Sequence, residues 1–286
     1  MSQVRATVPK LLDNLRLRPA HLAVRSRVRR LTRTPFGAGQ SPAVLVHCAH
    51  HKVGTVWFQR VLSTVAGFYG LRFTEVPASE DSPGSPPVLA SDIDIVVYHR
   101  ANDFRPEDLA GREYRGSHLI RDPRDMVVSG YHYHLRTDEP WVHEPKDRYG
   151  GLSYQAFLQG IDEHDGLMAE IERCARSSLA EMAEWHYARP GILELRYEDA
   201  VRDEVETFTG LFRFYGFNDA AVERGLTIVE HFSRRSGPHA GDADPHVRSG
   251  QPGEWRRSFG VDHIARFKEL TGDLVVRLGY EEDPDW

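Results

Sequence analysis

The segment Ala49-His50-His51-Lys52-Val53-Gly54-Thr55-Val56-Trp57 joins a short apolar run to an amphipathic one. A strand, a loop with lysine and glycine, and a helix start make a cradle for a phosphate. Free N–H groups at the helix N-terminus point at the anion, and the helix dipole favours negative charge. Gly54 lets the backbone approach closely. Thr55 can cap the helix or give its hydroxyl to a phosphate. Lys52 is a mobile point charge suited to a phosphate or to an oxygen gaining charge as it leaves. This is not a Walker A loop, in which lysine follows glycine directly. Taken alone, the segment also reads as a Thr-capped helix beside a surface lysine.

A second segment, Leu119-Ile120-Arg121-Asp122-Pro123-Arg124-Asp125-Met126-Val127-Val128-Ser129-Gly130-Tyr131, repeats the layout of strand end and helix start. Arg121 offers a planar fork for a phosphate, Pro123 suits the first helical turn, and Ser129 lies about two turns further on. A third candidate is His99, at the end of Ile95-Val96-Val97-Tyr98-His99. A neutral imidazole there can take a proton from a hydroxyl. His50, His51, His132 and His134 are its neighbours in sequence and read as loop or substrate-wall residues.

The elements that must position these residues follow from hydrophobic patterning. Strands are predicted at Ala43–Cys48, Leu71–Val76, Ile93–Tyr98, Ser117–Ile120 and Gly191–Leu195. Helices are predicted at Thr55–Phe68, Pro123–His134, Val201–Tyr215, Ala220–Phe232 and Asp262–Leu278, with a helical pair over Ser153–Arg189 broken near Asp165-Gly166. Residues 77–87, 135–152 and 233–252 read as loops. Alternating strands and helices imply an α/β fold, a single domain with a central parallel β-sheet flanked by helices, and ligands at the carboxyl ends of its strands.

Together the first two segments resemble the PAPS-dependent sulfotransferases of the cytosolic type, with a P-loop-like fold. PAPS is 3'-phosphoadenosine 5'-phosphosulfate, and PAP is its product. The first loop resembles Pro-Lys-x-Gly-Thr-Thr-Trp. The resemblance implies that Lys52, Val53, Gly54, Thr55, Val56 and Trp57 hold the 5'-phosphosulfate. The second resembles Arg-x-Pro-x-Asp-x-x-x-Ser-x-Tyr, which implies that Arg121 and Ser129 bind the 3'-phosphate. Arg196-Tyr197-Glu198-Asp199 resembles the segment whose tyrosine lies near the adenine, here Tyr197. Val247-Arg248-Ser249-Gly250-Gln251-Pro252-Gly253-Glu254-Trp255 resembles the late Arg-Lys-Gly segment, which places Arg248, Ser249 and Gly250 at the 3'-phosphate. By the same resemblance His99 is the general base, Lys52 the catalytic cation, and no metal is required. The chain departs from the pattern at three positions: Val56 replaces a threonine, Val97 a frequent lysine and Ser249 a lysine.

Composition sets the outer limits. Of 286 residues, 40% are hydrophobic and 27% charged, which excludes collagen-like, wholly disordered and multi-span membrane chains. Cys48 and Cys174 make neither a disulfide framework nor a metal cluster. With no secretory h-region, these features read as a cytoplasmic protein. Residues 1–35 carry a net +8 and the remainder −14. The acidic body argues against nucleic acid, whereas the basic arm, set at residues 1–40 before a domain of 41–286, suits a peripheral membrane surface or a partner. The expected function is transfer of a sulfuryl group from PAPS to a hydroxyl or amine of a small-molecule, carbohydrate or lipid acceptor. The alternatives are a Mg-ATP phosphotransferase and a non-catalytic nucleotide-binding protein. Tyr98, Phe104, Tyr133, Trp141 and Phe232 are candidates for the acceptor wall, and Ser233–Pro252 for a lid that orders over the donor.

Overall fold

The computed structural model describes residues 34–37, 43–78, 89–233 and 250–286. The basic residues before Thr34, and Arg248 and Ser249 with most of the expected lid, lie outside the described residues. Five strands are seen: β1 (Val44–Ala49), β2 (Phe73–Val76), β3 (Ile95–Tyr98), β4 (Tyr114–Ile120) and β5 (Ile192–Arg196). They pair in the order β2-β3-β1-β4-β5, and every pairing is parallel. The apolar runs of β1, β3 and most of β4 reflect cover on both faces, whereas the edge strands β2 and β5 are half-buried. Leu45, Ile95, Val97 and Leu119 belong to the larger core cluster; Val44, Val46, Cys48, Val96 and Tyr98 belong to a smaller one. β4 begins three residues earlier than predicted, since Tyr114, Arg115 and Gly116 break the apolar run while still pairing with β1.

The chain leaves β1 towards β2 and β3 on one side, then crosses to β4 and β5 on the other. Ligand crevices open at such a reversal, outside the carboxyl ends of the strands. The neighbours β3, β1, β4 and β5 therefore present His99, the 50–54 loop, Arg121 and Tyr197 side by side, strand spacing being about 4.8 Å.

Helix α1 (Thr55–Tyr69) starts after Gly54 and stops at Gly70, both with positive φ. Helix α2 (Pro123–His134) is capped by Asp122, which accepts from the Arg124 N–H at 2.9 Å. The predicted pair after Ser153 is three helices: α3 (Tyr154–Gln159), α4 (Glu163–Ala175) and α5 (Ser178–Glu184). Gly166 lies inside α4, not at a break. A Cβ there would meet the Tyr131 ring at 2.4 Å, so the glycine serves close packing of α2 on α4. The predicted helix at Val201–Tyr215 is split into α6 (Tyr197–Arg202) and α7 (Glu204–Phe214) by Asp203, whose carboxylate caps α7. After α8 (Asp219–His231) and α9 (Trp255–Ser258), Gly272 divides the last predicted helix into α10 (Val261–Thr271) and α11 (Leu274–Arg277). Residues 34–37 dock on the domain: Phe36 is buried and bridges Phe217. No helix of the described residues is long and apolar enough to cross a membrane.

Candidate active site

The loop after β1 is built around backbone. Lys52 has φ 67° and Gly54 φ 104°, so two left-handed residues turn the chain into α1. Among the described residues, no hydrogen bond is donated by the N–H of Val53, Gly54, Thr55 or Val56. Free N–H groups at a helix start are what an anion cradle requires. The Thr55 hydroxyl donates to the His50 carbonyl at 2.9 Å and pins the loop to itself. Val53 and Trp57 are buried in the core, Trp57 edge-on to Phe208 and Tyr197, so only their backbone faces the loop. Val56 is half-buried and brings no hydroxyl.

Arg121 reaches the same loop from the end of β4. Its Nη1 donates to the Lys52 carbonyl at 3.1 Å, and its guanidinium lies over the Tyr197 ring at 4.5 Å. Arg121 is 4% exposed, its Nε is buried without a hydrogen-bond partner, and no carboxylate lies within ion-pair distance among the described residues. Ser129, on α2, is half-buried. Tyr197 donates to the Gly250 carbonyl at 2.8 Å, which ties the late segment to the end of β5. A Cβ on Gly54 would meet the Tyr197 ring at 2.9 Å. The structure thus brings together Lys52, Gly54, Arg121, Tyr197 and Gly250.

Asp125 completes this arrangement, and sequence reasoning passed it over. It accepts from the backbone N–H of Gly253 at 2.6 Å and of Trp255 at 2.9 Å. Burial first, opposed by Arg121, raises its carboxyl from the ordinary value. Arg124 is buried between Trp255 and Trp286, at 3.8 and 4.4 Å from their rings, and pairs with Asp122 and Glu281.

Lys52 Nζ stands 3.6 Å from the centroid of Tyr133, and the Tyr133 hydroxyl donates to Glu139 at 2.7 Å. Behind them His51 stacks on His134, with centroids 5.3 Å apart. Burial first, then His134 and the Lys52 charge, hold the His51 imidazole well below its usual range. His134 is buried and bonds Glu170 at 3.0 Å. Burial would raise Glu170, but Arg173 at 2.8 Å and His134 outweigh it and hold that carboxyl well below the usual value. His50 is also buried. Its Nε2 meets His118 Nε2 at 2.9 Å, and His118 Nδ1 meets Glu194 at 2.6 Å. His50 and His134 are therefore parts of buried networks and not the walls of a substrate pocket. Tyr98 and Phe104 likewise pack in the smaller core cluster.

His99 lies at the end of β3, a quarter exposed, and its Nε2 bonds Glu75 Oε2 at 3.1 Å. Glu75 was not foreseen, because nothing in the sequence shows that β2 pairs beside β3 in a register setting Glu75 opposite Val97. No group of three or more metal-ligating side chains is found among the described residues.

A parallel α/β domain with a glycine-turned anion loop and a buried, unpaired arginine beside it defines a nucleotide- or phosphate-handling class. Residues 45–279 match the family model described as "Sulfotransferase domain", and the chain belongs to that family. Among solved structures it is similar to mouse sulfotransferase SULT7A1 complexed with PAP, at TM-score 0.52 and 17% identity, covering 82% of this chain and 84% of that one. It is also similar to retinol dehydratase in complex with androsterone and inactive cofactor PAP, at TM-score 0.47 and 15% identity, covering 84% and 83%. No curated protein matches the sequence.

Proposed function

We propose that this chain transfers the sulfuryl group of PAPS to a hydroxyl of an acceptor. Arg121 carries the reading. A guanidinium removed from water without an anionic partner is costly, and a phosphate at the end of β4 supplies that partner. The unused N–H groups of Val53–Val56 suit a second phosphate, and Gly54 keeps the loop against Tyr197. Two anion seats on adjacent strand ends fit a bisphosphate nucleotide, with the Tyr197 ring as the apolar surface for a base. The family membership and the PAP in the similar mouse structure support the same donor.

PAPS supplies a sulfuryl group whose leaving oxygen gains charge as the bond to sulfur breaks. Lys52 and the α1 N-terminus oppose that charge, Arg121 and Ser129 hold the far phosphate, and His99 takes the acceptor's proton. Lys52 over Tyr133 is within a side-chain swing of its own loop.

The test is a thermal-shift and calorimetric comparison of PAP, 5'-AMP and Mg-ATP, followed by transfer of label from PAPS to a panel of hydroxyl acceptors. PAP should bind far more tightly than 5'-AMP. Loss of a charged hydrogen-bond partner costs about 1.5–3 kcal/mol, so Arg121→Ala should weaken PAP roughly 10- to 150-fold. Equal affinity for PAP and 5'-AMP, or preference for Mg-ATP, would remove this reading.

A further inference from the structure

β2 and β3 pair in parallel with Glu75 opposite Val97, and His99 follows two residues later with the same parity. Side chains of one parity share a face of a strand pair, so the Glu75 carboxylate is aimed at the His99 ring. It meets Nε2 at 3.1 Å, and this is the only side-chain hydrogen bond His99 makes among the described residues. Valine at position 97 places no cation between them. Arg100, the next residue along the chain, is engaged by Glu181 at 2.8 Å and Asp103 at 3.9 Å. The buried His47 is kept neutral by desolvation.

A carboxylate only accepts hydrogen bonds. The neutral His99 ring must therefore carry its proton on Nε2, which leaves the lone pair on Nδ1. We infer that Glu75 is the positioning residue of this site: it fixes the His99 tautomer and ring so that Nδ1 receives the acceptor's proton. This rests on the reading of His99 as base given above. In the transfer, the acceptor oxygen bonds to sulfur, and its proton passes to Nδ1. The sulfur–oxygen bond to the 5'-phosphate breaks, with its electron pair staying on the phosphate oxygen. The resulting imidazolium holds Nε2–H towards the Glu75 carboxylate, so the charge formed on the ring is met by one already in place.

The experiment uses the full chain saturated with PAP and labelled with ¹⁵N-histidine, His99→Gln identifying the resonances. The wild type should show a hydrogen-bonded His99 Nε2–H and an unprotonated Nδ1. Glu75→Ala should lose the protected Nε2–H signal, and Glu75→Gln, whose amide oxygen still accepts, should restore it. Carbethoxylation by diethyl pyrocarbonate reads the lone pair directly. Modification should fall on Nδ1 in the wild type and spread to Nε2 in Glu75→Ala, with the rate at His99 down about threefold, the scale of a partly exposed ion pair. An unchanged PAP thermal shift shows that each variant is folded. Unaltered resonances and unaltered modification in Glu75→Ala overturn the inference. The base assignment fails separately: His99→Ala would then keep full transfer from PAPS while the wild-type ring still shows the Glu75 signatures, and Glu75 would orient a ring that takes no proton.

Discussion

Lowering the pH from 7 to 5 should destabilise this protein steeply, for a reason found in three side chains. His47, His118 and His134 are fully buried, and burial is the first cause holding each imidazole below its usual range, His47 down to about 3. The unfolded chain takes up a proton at each near pH 6.5, and the folded chain does not. The unfolded state then binds more protons, so stability is complete above pH 6.5 and falls as the pH drops towards the folded values. Each such group contributes about 1.4 kcal/mol per pH unit. Among the described residues His47 has Ser117 Oγ, at 2.8 Å, and the Phe58 ring beside it, neither of which neutralises a charge. It alone should remove about 2 kcal/mol between pH 6.5 and 5. His118 and His134 have Glu194 and Glu170 beside them. Both imidazoles are lowered by burial and so add to the loss in the same direction, against the roughly 5–15 kcal/mol that holds a domain folded. Urea titrations at pH 7, 6, 5.5 and 5 measure this, and His47→Gln should flatten the slope by one proton. A free energy of unfolding that stays level from pH 7 to 5 would refute the reasoning.

Gly54→Ala should cost about 1–2 kcal/mol in left-handed strain, besides pushing the pinned Tyr197 ring from 2.9 Å. Urea titration at pH 7 should show it, and the cost should shrink in a Tyr197→Ala background. Glu170→Gln breaks the pair between the fully buried Glu170 and a mostly buried Arg173, and also weakens the bonds from His134 and Tyr154. The loss should be about 3–5 kcal/mol at pH 7. Because the folded carboxyl is depressed, that difference should shrink as the pH falls below about 4.3. Asp125→Ala releases Gly253 and Trp255, and calorimetry should find PAP weakened about tenfold while hydrogen exchange rises over residues 250–258.

The two anion-loop segments can be read from the sequence because phosphate recognition uses local chain geometry. Strand, glycine turn and helix start at 49–57, and arginine, proline and helix at 121–134, are contained in nine and fourteen residues. What escaped depends on pairing between segments far apart. Glu75 meets His99 through the β2–β3 register, and Asp125 meets Gly253 across 128 residues. Histidines 50 and 134 read as loop or substrate-wall residues because each stands at the edge of a predicted element. Only the fold sets them against His118 and Glu170. Helix breaks were misplaced where glycine served packing, as at Gly166, or where a capping aspartate looked like any surface acid, as at Asp203.

All five strands are present once the chain has reached Arg196, but the donor seat is not. Among the described residues Asp125 lacks its backbone N–H partners until Gly253 and Trp255 have been made, and the Tyr197 hydroxyl lacks its acceptor until Gly250 has. Contacts closed over such lengths of chain form late, since the loop entropy must be met before they are rewarded. On a ribosome the sheet can therefore form before the nucleotide can be gripped. PAP should protect chains extended past residue 255 against proteolysis and leave nascent chains that stop short of residue 250 as sensitive as before. The clasp would make ligand binding a mark of translation past that point, and pulse-labelled translation with and without PAP would time it.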